Sequence, residues 1–122
     1  MSNKREQLRQ YKETMPPIGI YVIRNLVNKR VFVGGSVNVQ GTLNRERFEL
    51  DLKSHRNAKL LQDWIEYGPE NFSFEVIDTV KKREDPAFDY KGELAALLEM
   101  WREELNCYGE NGYNTRDARP SR

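Results

Sequence analysis

The sequence predicts an α+β domain, a small three-stranded antiparallel sheet flanked by helices, on three observations. Two short runs rich in β-branched and aromatic residues, 18–24 (IGIYVIR) and 30–34 (RVFVG), flank a polar turn at residues 25–29, the signature of a hairpin. In FSFEVIDTV, Phe72, Phe74 and Val76 alternate with polar neighbours, as in a strand with one buried face. Two further segments carry apolar residues at helical spacing: Leu60, Leu61, Trp64 and Ile65 in AKLLQDWIEY, and Leu94, Leu98, Trp101 and Leu105 in GELAALLEMWREEL. At 122 residues a single core is feasible, because folding at this length hides roughly two-thirds of the surface that the unfolded chain exposes.

In chain order, residues 3–13 are good helix formers with few apolar anchors, so residues 1–15 are expected to hold a peripheral helix stopped by Met15-Pro16-Pro17. The hairpin follows. Gly34, Gly35 and Gly41 flank a turn, after which LNRERFELDLK reads as a helix with Thr42 or Asn44 as its N-cap. Asn57 can cap the next helix, which stops at Gly68. After the third strand, residues 81–89 (KKREDPAFD) read as a loop before the long late helix. The globular domain is expected to span residues 16–114, and residues 115–122 (TRDARPSR) read as a basic, mobile tail.

Composition removes several classes of function. With 38% hydrophobic, 32% charged and 11% aromatic residues the chain is not collagen-like, disordered or coiled-coil. No apolar run approaches the ~18 residues of a membrane span, and the charged start lacks the apolar stretch of a secretory signal, so the expectation is a cytoplasmic protein without a membrane partner. Cys107 is the single cysteine and His55 the single histidine, which excludes an internal disulfide, a Cys/His zinc site and a Cys-His catalytic pair. Residues 1–58 carry 11 Lys/Arg against 5 Asp/Glu, and residues 59–114 carry 6 against 13. A basic first half suits a phosphate-containing partner, and the acidic second half leaves a basic protein partner open.

Gly19-Ile20-Tyr21, ten residues, and then Phe32-Val33-Gly34 open an ordered set of motifs continued by HRNAKLLQDWIEYGPENFSFEVI, LLEMWREEL and GYN. This set, from Ile18 to Asn114, resembles the GIY-YIG nuclease superfamily. The resemblance implies a metal-dependent endonuclease hydrolysing DNA phosphodiester bonds, with Mg2+ or Mn2+ as cofactor and its site across one sheet face. By that resemblance Tyr21 positions or deprotonates the nucleophile, and Glu99 binds the metal. The family's arginine position falls on Thr42, so Arg45, one helical turn further on, is taken as its equivalent, with Arg47 as the lesser candidate. Phe32 stands for the second family tyrosine and keeps a ring without a hydroxyl. Gly34 lets a neighbour or the phosphate come close. Arg24, Arg30 and Arg47 are the candidates for gripping the DNA strand. His55 reads as a surface residue opening the next helix, Asn114 as a buried hydrogen-bonding clip and Cys107 as packing. Sequence specificity would come from this domain, a homodimer or a fused or partner module. The departures at Thr42 and Phe32 leave a second reading open, a catalytically degenerate nucleic-acid-binding module, and a protein-interaction domain is the third.

Overall fold

The apolar run after Pro17 becomes β1 (Gly19–Asn25) and the second run becomes β2 (Val31–Ser36) in a computed structural model that describes residues 15–115. The helix expected at residues 3–13 and the tail from residue 116 onward lie outside the described residues. Between the two strands Asn25 makes the turn, its side-chain oxygen accepting from the Val27 N–H at 2.9 Å and the Asn28 N–H at 3.3 Å. β3 (Phe72–Thr79) pairs with the other side of β1, so the antiparallel sheet has the order β2-β1-β3. Successive residues from Ile20 to Ile23 are all buried, so both faces of this central strand are covered, which is why that stretch is continuously apolar and does not alternate.

Three helices complete the domain: α1 (Val39–Asp51), α2 (Ala58–Tyr67) and α3 (Tyr90–Leu105). α1 starts earlier than the sequence suggests. Its cap is Asn38, whose side chain accepts from the Gly41 N–H at 3.2 Å, so Thr42 already lies within the helix and Asn44 beyond its first turn. α2 is capped by Asn57, which accepts from the Leu60 N–H at 3.0 Å, and ends at Gly68, whose φ of 88° a residue with a Cβ would adopt only under strain.

The sheet separates two cores. On one face Tyr21 and Ile23 meet Val39, Leu43 and Leu50 of α1, Leu60 and Trp64 of α2, and Phe72 and Tyr113. On the other, Ile20, Val22, Val31, Val33 and Cys107 meet the stripe Leu94, Leu97, Leu98, Trp101 and Leu105 of α3. Fully buried side chains such as Ile20, Ile23, Leu50 and Leu60 each contribute roughly 1.5–3 kcal/mol of transfer free energy. Ile65 does not join the core and is 56% exposed, while Asp63 turns inward beside Trp64.

Asp63 ties the two ends of the domain together. One of its carboxylate oxygens accepts from the Tyr113 hydroxyl at 2.7 Å, the Arg30 guanidinium at 3.0 Å and the Asn28 side-chain amide at 3.1 Å. The outer edge of β2 is closed by residues 112–114. Tyr113 N–H donates to Val31 O at 2.9 Å, and the Asn114 side chain bonds both the N–H and the C=O of Val33, at 2.9 and 3.0 Å. An edge strand thus covered cannot recruit a foreign strand on that side. Among the described residues no helix is long and apolar enough to cross a membrane.

Candidate active site around Tyr21

The site begins with the close pairing of β1 and β2. Tyr21 stands opposite Gly34, and its ring lies across that glycine so closely that a Cβ there would overlap the ring and its hydroxyl. Among the neighbours allowed by the sequence reading, Gly34 thus admits the phenol of Tyr21. Phe32 packs its ring 6.3 Å from that of Tyr21 and edge-on to His55 at 6.1 Å, adding apolar surface but no group able to handle a proton.

α1 supplies the carboxylate. Its inward stripe is Val39, Leu43, Glu46 and Leu50, so Glu46 occupies a core position and is only 3% exposed. A buried carboxylate needs compensating partners. One is His55, which is buried between α1 and α2 rather than on the surface as expected. The Asn57 N–H donates to His55 Nδ1 at 3.0 Å, so in the neutral ring the proton belongs on Nε2, which donates to Glu46 Oε2. The other partner is Tyr21. Burial first, then the charge of Glu46 and the hydrogen bond to it, hold the phenol well above the ordinary tyrosine range; the guanidiniums of Arg56 and Arg102 oppose this shift. Tyr21 is therefore a neutral hydrogen-bonding group at physiological pH, with Glu46 as its acceptor.

Arg102 reaches this place around the edge of the sheet. It belongs to α3, on the far side, yet its Nε donates to Val33 O at 3.2 Å, next to the glycine under the Tyr21 ring. Only an edge strand such as β2 leaves that carbonyl within reach. Arg56 stands just before the cap of α2.

The trio Tyr21, Arg45 and Glu99 is not brought together. Glu99 is exposed on α3, because Leu97, Leu98 and Trp101 take the inward positions of a helix that packs on the face away from Tyr21. Arg45 points outward with its side chain 60% exposed and its Nε 4.0 Å from Glu49, since Glu46 holds the inward position beside it. Thr42, at the family's arginine position, shares a 2.6 Å hydrogen bond with Ser36. Arg47 lies over the Phe74 ring at 5.2 Å, and Arg30 is bound to Asp63 and to Glu110 O. Arg24 shares the strand face of Ile20 and Val22, opposite that of Tyr21. Asn114 is the buried clip on Val33.

Glu99 stands exposed on α3, away from the Tyr21 face. Among the described residues, the group whose donor atoms could hold an ion is Glu46, Glu49 and His55, these atoms all within 4.8 Å of one another. Within it His55 Nε2 carries the proton and Nδ1 faces an N–H, so neither nitrogen has a lone pair to give; metal-bound histidines instead donate from the second nitrogen. The two carboxylates remain, an oxygen set suited to a hard divalent ion that keeps most of its waters.

Glu46, Arg56 and Arg102 were missed by the sequence reading. For Glu46 a signal existed, a charged residue at an apolar position of the stripe Val39, Leu43, Leu50. For the arginines none did, since both arrive through tertiary packing.

No family model and no curated sequence matches the chain. The fold does find a match: the three-stranded antiparallel sheet and three helices are those of the GIY-YIG catalytic domain. The particular structures are two of the catalytic domain of I-TevI. One, described as that of the homing endonuclease, has a TM-score of 0.67 and 26% identity over 82% of this chain and 99% of the other. The second, a mutant of the intron endonuclease domain, has a TM-score of 0.66 and 26% identity over 84% and 97%.

Proposed function

We propose that the chain is a DNA endonuclease domain whose reacting centre is Tyr21 with Glu46, and whose phosphate-facing cations are Arg102 and Arg56. The observation that carries this reading is the Tyr21 phenol, seated on Gly34 with the buried Glu46 carboxylate as its hydrogen-bond partner and in the field of Arg56 and Arg102. The oxygen of an attacking water bonds to phosphorus as the bond to the leaving deoxyribose oxygen breaks, its electron pair going to that oxygen. The water's proton passes to the Tyr21 oxygen while the phenol's own proton moves to Glu46, and solvent protonates the leaving oxygen. A relay of this kind avoids a free phenolate, which burial and Glu46 make costly. His55 holds the Glu46 carboxylate in place, and the guanidiniums offset charge building on the phosphate. Glu46 and Glu49 are where Mg2+ or Mn2+ would be held, and such an ion would polarise the phosphoryl oxygens.

The test is nicking of supercoiled plasmid by the whole chain with Mg2+ or Mn2+. Nicking that is lost with EDTA and reduced at least about 100-fold by Tyr21→Phe supports the proposal. A second reading, a non-cleaving DNA-binding module, is favoured by the exposure of Glu99 and the loss of hydroxyl and guanidinium at Phe32 and Thr42. Salt-sensitive DNA binding without any nicking would decide for it.

A further inference from the structure

We infer that a cleft between the start of α2 and residues 108–115 holds the nucleotide adjoining the phosphate at the reacting centre. The cleft has a volume of about 660 Å³, within the ~300–1,000 Å³ of small-molecule sites. It is lined on one side by Arg56 and Lys59 and on the other by Tyr108, Gly109, Asn114 and Thr115, and no carboxylate lines it. Two cations with neutral polar and aromatic groups suit an anionic, partly flat ligand.

Its position links it to the reacting centre. Asn57 lines the cleft and its N–H donates to His55, the partner of Glu46, and Asn114 lines it while gripping Val33, the residue before Gly34. A DNA strand with one phosphate at Tyr21 would therefore continue into the cleft that Lys59 lines. The Lys59 ammonium donates to Gly109 O at 2.6 Å, which fixes it across the cleft and leaves two of its three donors for a ligand. The identity of the ligand rests on the endonuclease reading; the presence of a site for a nucleotide does not need cleavage to be seen.

The experiment is a titration of the isotope-labelled full chain with deoxythymidine 5′-monophosphate, followed by amide NMR, with inorganic phosphate titrated separately. Shifts confined to residues 56–59 and 108–115, weaker with inorganic phosphate, are expected. Lys59→Gln should weaken binding about fivefold to tenfold, as the loss of one charge-assisted hydrogen bond implies, and Lys59→Arg should restore it to within about twofold. Absence of shifts, shifts elsewhere, equal shifts with inorganic phosphate, or an unchanged affinity in Lys59→Gln would each overturn the assignment. A protein that binds the nucleotide here yet nicks no plasmid would sink the endonuclease reading alone, and one that nicks plasmid but shows no such shifts would sink this one.

Discussion

β1 presents two faces made from alternating residues of one strand, and they have been built to opposite rules. The Tyr21 face encloses Glu46, His55 and Asp63, three ionisable side chains at most 6% exposed. The Ile20 face is closed by aliphatic and aromatic side chains of α3, with Cys107 among them. Burying ionisable groups is costly unless each is paired, so a face needed only for packing has no reason to contain them. The difference gathers the buried ionisable groups on the first face and leaves cohesion to the second. It also explains why the late-helix carboxylate stands apart from Tyr21: α3 packs on the other face, and what it sends to the sheet edge is Arg102.

The sharpest way to break this comparison is to neutralise one carboxylate on each side. Glu46→Gln keeps the shape and removes the proton acceptor, and a plasmid-nicking assay should show a loss of about 100-fold to 10,000-fold. Glu99→Gln should change nicking by less than about twofold. The reverse result would return the site to α3 and undo the assignment of Glu46.

Stability separates the faces less steeply. Asp63→Ala leaves the Tyr113 hydroxyl and Arg30 without their shared acceptor and should cost about 3 kcal/mol in urea unfolding. Leu98→Ala removes half-buried packing and should cost about 2 kcal/mol, the low end for such truncations. Equal costs, or a larger one for Leu98, would mean that the polar network contributes less than its geometry indicates.

A third expectation concerns pH, where the Tyr21 face alone should set both limits. Burial raises the Asp63 carboxyl, but hydrogen bonds from Tyr113, Asn28 and Arg30 outweigh it, and the net shift is downward from 3.8. A depressed carboxyl stabilises the fold above its unfolded value and ceases to do so as pH falls through the folded one, so stability should decline below about pH 4. Tyr21 and Tyr113 are both raised, chiefly by burial and then by Glu46 and Asp63 respectively. Their contribution is complete below the unfolded phenol value of about 10 and is lost as pH rises past it. Each proton changes stability by at most about 1.4 kcal/mol per pH unit. Ultraviolet titration of the phenols should find two of the six tyrosines ionising only with alkaline unfolding, and early ionisation of all six would contradict the placement.

The architecture was legible because it rests on local patterns. Strand periodicity, the Asn57 cap and the Gly68 stop are each settled within a few residues, and the stripe through Leu94, Leu98, Trp101 and Leu105 fixed which side of α3 faces the sheet. That same stripe held the warning about Glu99, one residue off it. The site was only partly legible. Tyr21 and Gly34 are adjacent across a hairpin, and their relation follows from register. Glu46 could have been found by asking why a carboxylate interrupts the apolar stripe of α1, but the missed cap at Asn38 shifted that helix and hid the stripe. Arg56 and Arg102 meet Tyr21 from segments 46 residues apart in the chain, and no local pattern encodes such an approach.

The smallest expected effect sharpens the comparison at the rim of the Tyr21 face. Arg45 is largely exposed, and its link to Glu49 is a single i,i+4 pair at 4.0 Å. Pairs of this kind contribute about 0.3–0.5 kcal/mol, and salt screens them. Arg45→Ala should therefore lower stability by no more than about 0.5 kcal/mol, a loss that vanishes by 0.5 M salt. Its effect on nicking is the more informative number. Glu49 belongs to the carboxylate pair suited to a divalent ion, and removing the neighbouring cation should make that pair more attractive to the ion, lowering the metal concentration for half-maximal nicking about twofold to threefold while leaving the saturated rate unchanged. If the saturated rate instead falls 100-fold or more, the guanidinium of Arg45 enters the reacting centre after all, and α1 must turn or its side chain swing inward past Glu46 when DNA binds.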